Sequence, residues 1–240
     1  MEEFKRRDLL LTDQQIEKIA NVKIAIFGLG GVGGYVVEAL ARMGVENFIL
    51  CDGDTISLSN INRQILALHS NIGKMKTDVA KERIIDINPN AYVDNRSYYF
   101  KSETCPSFLF DMDYIADCID SVNDKILLVN EASKRGIPII SSMGTGNRLF
   151  ASFKIADIKE TNTDPIAKIM RKELKNLGIN NLKVLFSDQK PLNPYENSTT
   201  KEKRTPGSLS YVVGIAGLMI AEEIVKDILK SCDIIEDVHP

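Results

Sequence analysis

Tryptophan is absent from the 240 residues, histidine occurs only twice, and none of the four cysteines stands in a Cys-x-x-Cys pair. Without such pairs the sequence offers no structural zinc site. His69 and His239 give little material for histidine chemistry and read as structural or exposed residues. Cys51, Cys105, Cys118 and Cys232 are widely spaced, and Cys51 and Cys118 end apolar runs, where a buried, inert thiol is expected. A long hydrophobic run is also missing. The longest, 209–221, is short of the roughly 17–25 residues that cross a bilayer. Residues 1–8 are charged and lack the apolar centre of a signal peptide, so a cytoplasmic protein is expected. Charge of one sign is not dominant either, the net value being −3.

What is present is the composition of a globular protein, 44% hydrophobic and 26% charged. A chain of this length buries about 70–75% of its unfolded surface and needs no cross-links. Apolar runs at 23–27, 47–51, 92–98, 114–118 and 138–143 read as strands. Helical spacing appears at 32–43, stopped by Gly44, at 75–87, stopped by Asn88-Pro89, and at 123–135, stopped by Gly136. This alternation predicts an α/β fold, Rossmann-like, with a mostly parallel sheet covered by helices on both faces. Beyond Gly144 it degrades into a smaller C-terminal α+β elaboration. There Asp164 and Pro165 open a helix that ends near Gly178. Ile166, Ile169, Met170, Leu174 and Leu177 line one side of it, and Lys168, Arg171, Lys172 and Lys175 make a second, basic stripe. Residues 191–208 read as a mobile loop and 211–229 as a final helix.

Chemistry starts at Gly28-Leu29-Gly30-Gly31-Val32-Gly33, between a strand and a helix. Glycines there admit phosphates to the backbone, and the helix start offers unpaired amides to an anion. Asp52, ending the next strand, is placed to take ribose hydroxyls. These features alone say "nucleotide" and would suit a dehydrogenase. The run Asp52-Gly53-Asp54-Thr55-Ile56-Ser57-Leu58-Ser59-Asn60-Ile61-Asn62-Arg63-Gln64 suits something else. Hydride transfer needs no Arg, Gln and later Lys at the phosphate end. Splitting ATP between its α- and β-phosphates does, because fixed cations stabilise the charge that builds there.

The glycine motif, the 52–64 run, Lys76 in Gly73-Lys74-Met75-Lys76, and Asp117-Cys118-Ile119-Asp120 together resemble the ThiF/MoeB/HesA group, relatives of the ubiquitin-activating enzymes. The resemblance implies one adenylating domain over 1–240, with an ATP-binding part at 1–145, a substrate- and RNA-facing segment at 146–208, and a C-terminal helix at 209–240. It implies ATP contacts from Gly28, Gly30, Gly31, Asp52, Ser59, Asn60, Arg63, Gln64, Lys76, Asp120 and Ser121. It implies Mg²⁺ at Asp120, and catalysis by Arg63, Lys76, Asp120 and Arg6, the last reaching the partner's ATP in a homodimer. Many members pass the acyl group to a crossover-loop cysteine. Residues 119–231 contain none.

The second half, with Met143-Gly144-Thr145-Gly146-Asn147-Arg148, Thr163-Asp164-Pro165 and Pro206-Gly207-Ser208, is similar to the branch of that family that dehydrates threonylcarbamoyladenosine at position 37 of tRNA. The implied reaction activates the substrate carboxylate as an acyl-adenylate and then closes a ring. Phe150-Ala151, Leu66 and Tyr211-Val212-Val213 depart from that branch, and none lies in an ATP motif. Residues 151–206 hold 11 basic and 7 acidic side chains, so this segment is the one to meet a polyanion. Lys168, Arg171, Lys172, Lys175, Lys201, Lys203 and Arg204 are its candidate tRNA contacts, with a solvated helix face as the plainer alternative. Two other readings stay open. One is adenylation of the C-terminal glycine of a ubiquitin-like sulfur carrier, with sulfur-transfer proteins as partners. The other is a nucleotide-sensing module without catalysis.

Overall fold

Ile24 and Ile26 project to one side of the first strand and Ala25 and Phe27 to the other, and solvent reaches none of the four. A strand buried on both faces belongs in the middle of a covered sheet. The computed structural model, which describes residues 2–108, 110–192 and 206–230, places it there. The strands are β1 (Lys23–Phe27), β2 (Asn47–Cys51), β3 (Tyr92–Arg96), β4 (Tyr114–Asp117), β5 (Ile139–Ser142), β6 (Lys154–Asp157) and β7 (Lys183–Phe186), and they form a single sheet in the order β3-β2-β1-β4-β5-β7-β6. All pairings are parallel except β6 with β7. The chain runs outward from β1 to β3, then returns to β4 on the other side of β1. Such a reversal opens a crevice beyond the carboxyl ends of β1 and β4.

The helices are α1 (Lys5–Asp8), α2 (Asp13–Asn21), α3 (Gly33–Arg42), α4 (Lys76–Ile87), α5 (Val122–Arg135), α6 (Pro165–Asn176) and α7 (Ser210–Lys230). Helices α2, α3, α4 and α7 cover the Ile24 face. Val36, Leu40, Val79, Ile84, Val212, Ile220 and Ile224 share a core there. Each fully buried Val or Ile contributes roughly 1.5–3 kcal/mol. Helix α5 covers the Phe27 face, where Phe27, Phe100 and Phe108 stack with ring centroids 5.2–5.3 Å apart. No helix among the described residues is long and apolar enough to cross a membrane.

The α/β alternation is as the sequence predicts, with element ends shifted by a residue or two. The elaboration after β5 is more regular than expected, because β6 and β7 extend the sheet itself. The helix opened by Asp164 also differs in its inner face. Met170, Ala167 and Leu174 are buried, whereas Ile169 and Leu177 are each 48% exposed. Helix α2 went unpredicted, although Thr12 and Gln15 cap it reciprocally, a pattern legible in sequence. The final helix, α7, is as expected. Most of the expected 191–208 loop lies outside the described residues.

Candidate active site

The turn after β1 is built around two close approaches. Gly28 has φ +86°, and a Cβ there would meet the Cys118 carbonyl oxygen at 2.6 Å. A Cβ on Gly33 would lie 1.9 Å from the Gly28 carbonyl oxygen. Only glycine lets β1, the turn and β4 come this near. At the start of α3 the Gly34 amide donates to the Gly30 carbonyl, and the Tyr35 and Val36 amides donate to the Val32 carbonyl. The amides without a hydrogen bond among the described residues are therefore those of Gly30, Gly31, Val32 and Gly33, as expected where a helix begins.

Asp52, at the carboxyl end of β2, fixes this turn to the next loop. Its Oδ2 accepts from the Leu29 amide at 2.6 Å and its Oδ1 from the Asp54 amide at 2.8 Å. Burial pushes its carboxyl up, against the pull of nearby Lys76. Lys76 is the first residue of α4 and is itself buried. Its Nζ lies 2.6 Å from Asp54 Oδ2 and 3.7 Å from Asp52 Oδ2. Asp54 also accepts a hydrogen bond from the Tyr99 hydroxyl. Burial works to raise the Asp54 carboxyl, but these two donors hold it below its ordinary value. Asp54 and Tyr99 were not assigned roles from sequence. Asp54 stands in the quoted run, whereas nothing in the sequence marks Tyr99.

The segment after Asp54 brings Gln64 to the same turn, with Arg63 next to it in the chain. Asn60 is buried and its Oδ1 caps the Ser57 amide at 3.0 Å, so this side chain shapes the loop. Ser59 is exposed, with its hydroxyl 3.0 Å from that of Ser57. Arg63 donates through Nη1 to the Ser59 carbonyl at 2.7 Å and to Asn62 Oδ1 at 3.0 Å. Its Nε and Nη2 have no hydrogen bond among the described residues. Gln64 is buried, its Nε2 3.8 Å from where a Gly30 Cβ would stand. Its Oε1 is buried with no partner. An orphaned polar atom beside a glycine turn is what a site shaped for a polar ligand leaves.

On the other wall Asp117 is fully buried. Its Oδ2 accepts from Lys125 Nζ at 3.0 Å and Ser141 Oγ at 2.5 Å, and its Oδ1 takes the Ile119 amide at 3.2 Å. This anchor presents Asp120 and Ser121 at the start of α5. Asp120 is exposed and makes no hydrogen bond or ion pair among the described residues. No group of three or more His, Cys, Asp or Glu side chains gathers among the described residues. A lone accessible carboxylate fits Mg²⁺, which is commonly held by one or two carboxylates together with substrate phosphates. Burial pushes the thiols of Cys51 and Cys118 up to about 12 and raises that of Cys105, so these three stay protonated at neutral pH.

Arg6 stands apart from these residues. It is exposed on α1, whose neighbour Arg7 donates to the Met43 carbonyl at 2.8 Å beyond the end of α3. The glycine turn begins α3 and Met43 follows its other end, so the residue next to Arg6 is anchored at the end of the helix away from the turn. On α6, Lys168, Lys172 and Lys175 are exposed. Arg171 is half-buried and donates to the Thr161 carbonyl at 2.6 Å, which turns it from the open stripe. Lys201, Lys203 and Arg204 lie outside the described residues. Asp164 caps α6 through the Ile166 and Ala167 amides and pairs with buried Arg148 at 3.4 Å.

Comparison with known proteins follows the same lines. The sequence matches the ThiF family over residues 5–238. It is 38% identical over 247 residues to a tRNA threonylcarbamoyladenosine dehydratase of Bacillus subtilis (strain 168), covering 98% of this chain and 97% of that one. The fold superposes with a TM-score of 0.88 on the E. coli tRNA N6-threonylcarbamoyladenosine dehydratase TcdA in complex with AMP, at 26% identity, covering 97% of this chain and 96% of the other. Against the same E. coli enzyme in complex with ATP the TM-score is 0.86, with the same identity and coverage.

Proposed function

We propose, from the premise that this chain belongs to the ThiF family, that it is an ATP-dependent dehydratase of threonylcarbamoyladenosine at position 37 of tRNA. The observation that carries the reading is the near full-length likeness to an enzyme seen with both ATP and AMP. ATP is the substrate of adenylation, and AMP is what its second half releases.

In this reading the substrate carboxylate attacks the α-phosphorus of ATP, the α–β bridging bond breaks, and pyrophosphate leaves. Lys76 and Arg63 stabilise the charge that builds on the phosphoryl oxygens, and the amides of Gly30, Gly31, Val32 and Gly33 hold the phosphates. Asp52 accepts from the ribose hydroxyls, and Gln64 Oε1 gains the donor it lacks. Bound at Asp120, Mg²⁺ would neutralise charge on the triphosphate. An atom of the neighbouring ureido group then attacks the acyl carbon, and AMP departs with the former carboxylate oxygen. The nucleophile is tethered to the carbon it attacks, so proximity contributes several kcal/mol without an enzyme nucleophile.

A homodimer completes the site. Arg6 is exposed, its neighbour Arg7 is anchored beyond the far end of α3, and it serves the partner's crevice. An apolar surface supports self-association. Tyr211, Ile215 and Leu218 are 40–52% exposed along one side of α7, next to Leu149 and Phe150 at 52% and 70%. Patches of this kind on a folded surface mark contact faces. The exposed lysines of α6 are the proposed contacts to tRNA phosphates. Pyrophosphate exchange tests the whole reading. Exchange driven by tRNA bearing threonylcarbamoyladenosine supports it, and exchange driven only by a ubiquitin-like carrier protein would overturn it.

A further inference from the structure

Asn62 touches two things at once. Its Nδ2 donates to the Ser208 carbonyl at 3.0 Å, and its Oδ1 accepts from Arg63 Nη1, also at 3.0 Å. The first bond fixes which way the amide faces, so its oxygen is presented to the guanidinium. Ser208 in turn follows Gly207, whose amide and carbonyl are both held by Asn147. The Gly207 amide donates to Asn147 Oδ1 at 2.7 Å, and the Asn147 amide donates to the Gly207 carbonyl at 2.7 Å. The Asn147 carbonyl takes the Leu192 amide at 2.7 Å. Asn147 has φ +57° and is the one non-glycine residue with positive φ among the described residues. Such strain persists where the surroundings over-determine it, and three bonds at one residue do so here.

These contacts form an unbroken path from the loop after β5 to Arg63. Gly146 reinforces it, since a Cβ there would meet Pro206 at 2.8 Å. An exposed Asn beside a half-exposed Arg, with no tether, would sample many rotamers. Tied to Ser208, Asn62 leaves Nη1 one place, and the Nε and Nη2 edge of the guanidinium, bonded by none of the described residues, is left for a ligand. We propose that Asn62 and Asn147 are positioning residues that act through Gly207 and Ser208 to hold Arg63 for the adenylation step. The inference rests on the adenylation reading above.

A double-mutant cycle tests it with the full chain, ATP and tRNA bearing threonylcarbamoyladenosine. Asn62→Ala is expected to lower kcat for AMP formation about 10-fold while ATP KM stays within about twofold. In an Arg63→Ala background the same change costs nothing further, because the group it positions is gone. Asn147→Gly keeps the backbone conformation, loses the Oδ1 bond, and gives a smaller loss of the same kind. Losses that multiply in the double variant would overturn the relay. So would a crystal structure of Asn62→Ala with the Arg63 guanidinium unmoved, a result independent of turnover. A wild-type enzyme that forms no AMP with this RNA sinks the activity reading instead, and the crystal comparison still decides the relay.

Discussion

Lys76 Nζ stands between Asp54 Oδ2 at 2.6 Å and Asp52 Oδ2 at 3.7 Å, so a buried ammonium is shared by two carboxylates at the glycine turn. In the proposed reaction two jobs meet in this group, neutralising the two carboxylates and facing the phosphates. Lys76→Met is expected to cut the rate of pyrophosphate exchange by about 10²–10³, the usual cost of deleting one charge-stabilising donor. Asp54 is half exposed, so the accompanying stability loss stays below the roughly 3–5 kcal/mol of breaking a wholly buried pair. A variant within tenfold of wild type would show that the ammonium does not meet the phosphoryl charge.

Glu38 on α3 ties that helix to α4, which carries Lys76. Its Oε2 is 2.5 Å from Arg83 Nε, and its Oε1 takes Arg42 Nε at 2.7 Å. Burial works to raise the Glu38 carboxyl, but the two guanidinium groups hold it below its ordinary value of 4.5. A depressed carboxylate contributes stability that is full above its unfolded value and lost as pH falls through the folded one. Glu38→Gln should therefore cost roughly 1.5–3 kcal/mol at pH 7, the range for hydrogen bonds to charged groups. The gap to wild type should close as pH falls from 7 to well below the ordinary carboxylate value of 4.5, through the depressed folded one. Chemical denaturation at both ends of that range reads it, and a gap that persists in acid would contradict the assignment.

How much of this was legible beforehand depends on the range of the contacts. Strands β1, β2 and β4 are short apolar runs bounded by glycine, Asp52 and Asp117, and pattern alone finds them. Strands β6 and β7 have four residues each, too few to show a period, and pair with one another across 25 intervening residues. The glycine turn, Asp52, Gln64 and Lys76 are encoded by residue type and spacing, and the structure brings them together. Tyr99 reaches Asp54 only because β3 lies beside β2, and Asn147 reaches Gly207 across 60 positions. No local pattern announces either contact.

Arg6 and Lys76 should complement one another across a dimer. Arg6→Ala is expected to reduce turnover about 10²-fold, as loss of a charge-stabilising donor does, while leaving ATP affinity nearly intact. Mixed with Lys76→Met, it forms heterodimers in which one site has both residues. Random exchange of protomers then restores activity to about one quarter of the wild-type sites. Two inactive variants that stay inactive after verified subunit exchange would place the work of Arg6 elsewhere.

The three exposed lysines of α6 make a prediction that separates charge from fold. Lys168, Lys172 and Lys175 contact solvent, whereas Arg171 is held by the Thr161 carbonyl. Each phosphate contact releases counterions, so every lysine that meets tRNA steepens the fall of affinity with salt by about one in a log–log plot. Changing Lys168, Lys172 and Lys175 singly to Gln should each lower that slope by about one and weaken binding at low salt. Arg171→Gln should leave the slope nearly unchanged and instead lower the unfolding temperature, because its bond is internal. Equal slopes in all four variants would move the RNA interface off this helix.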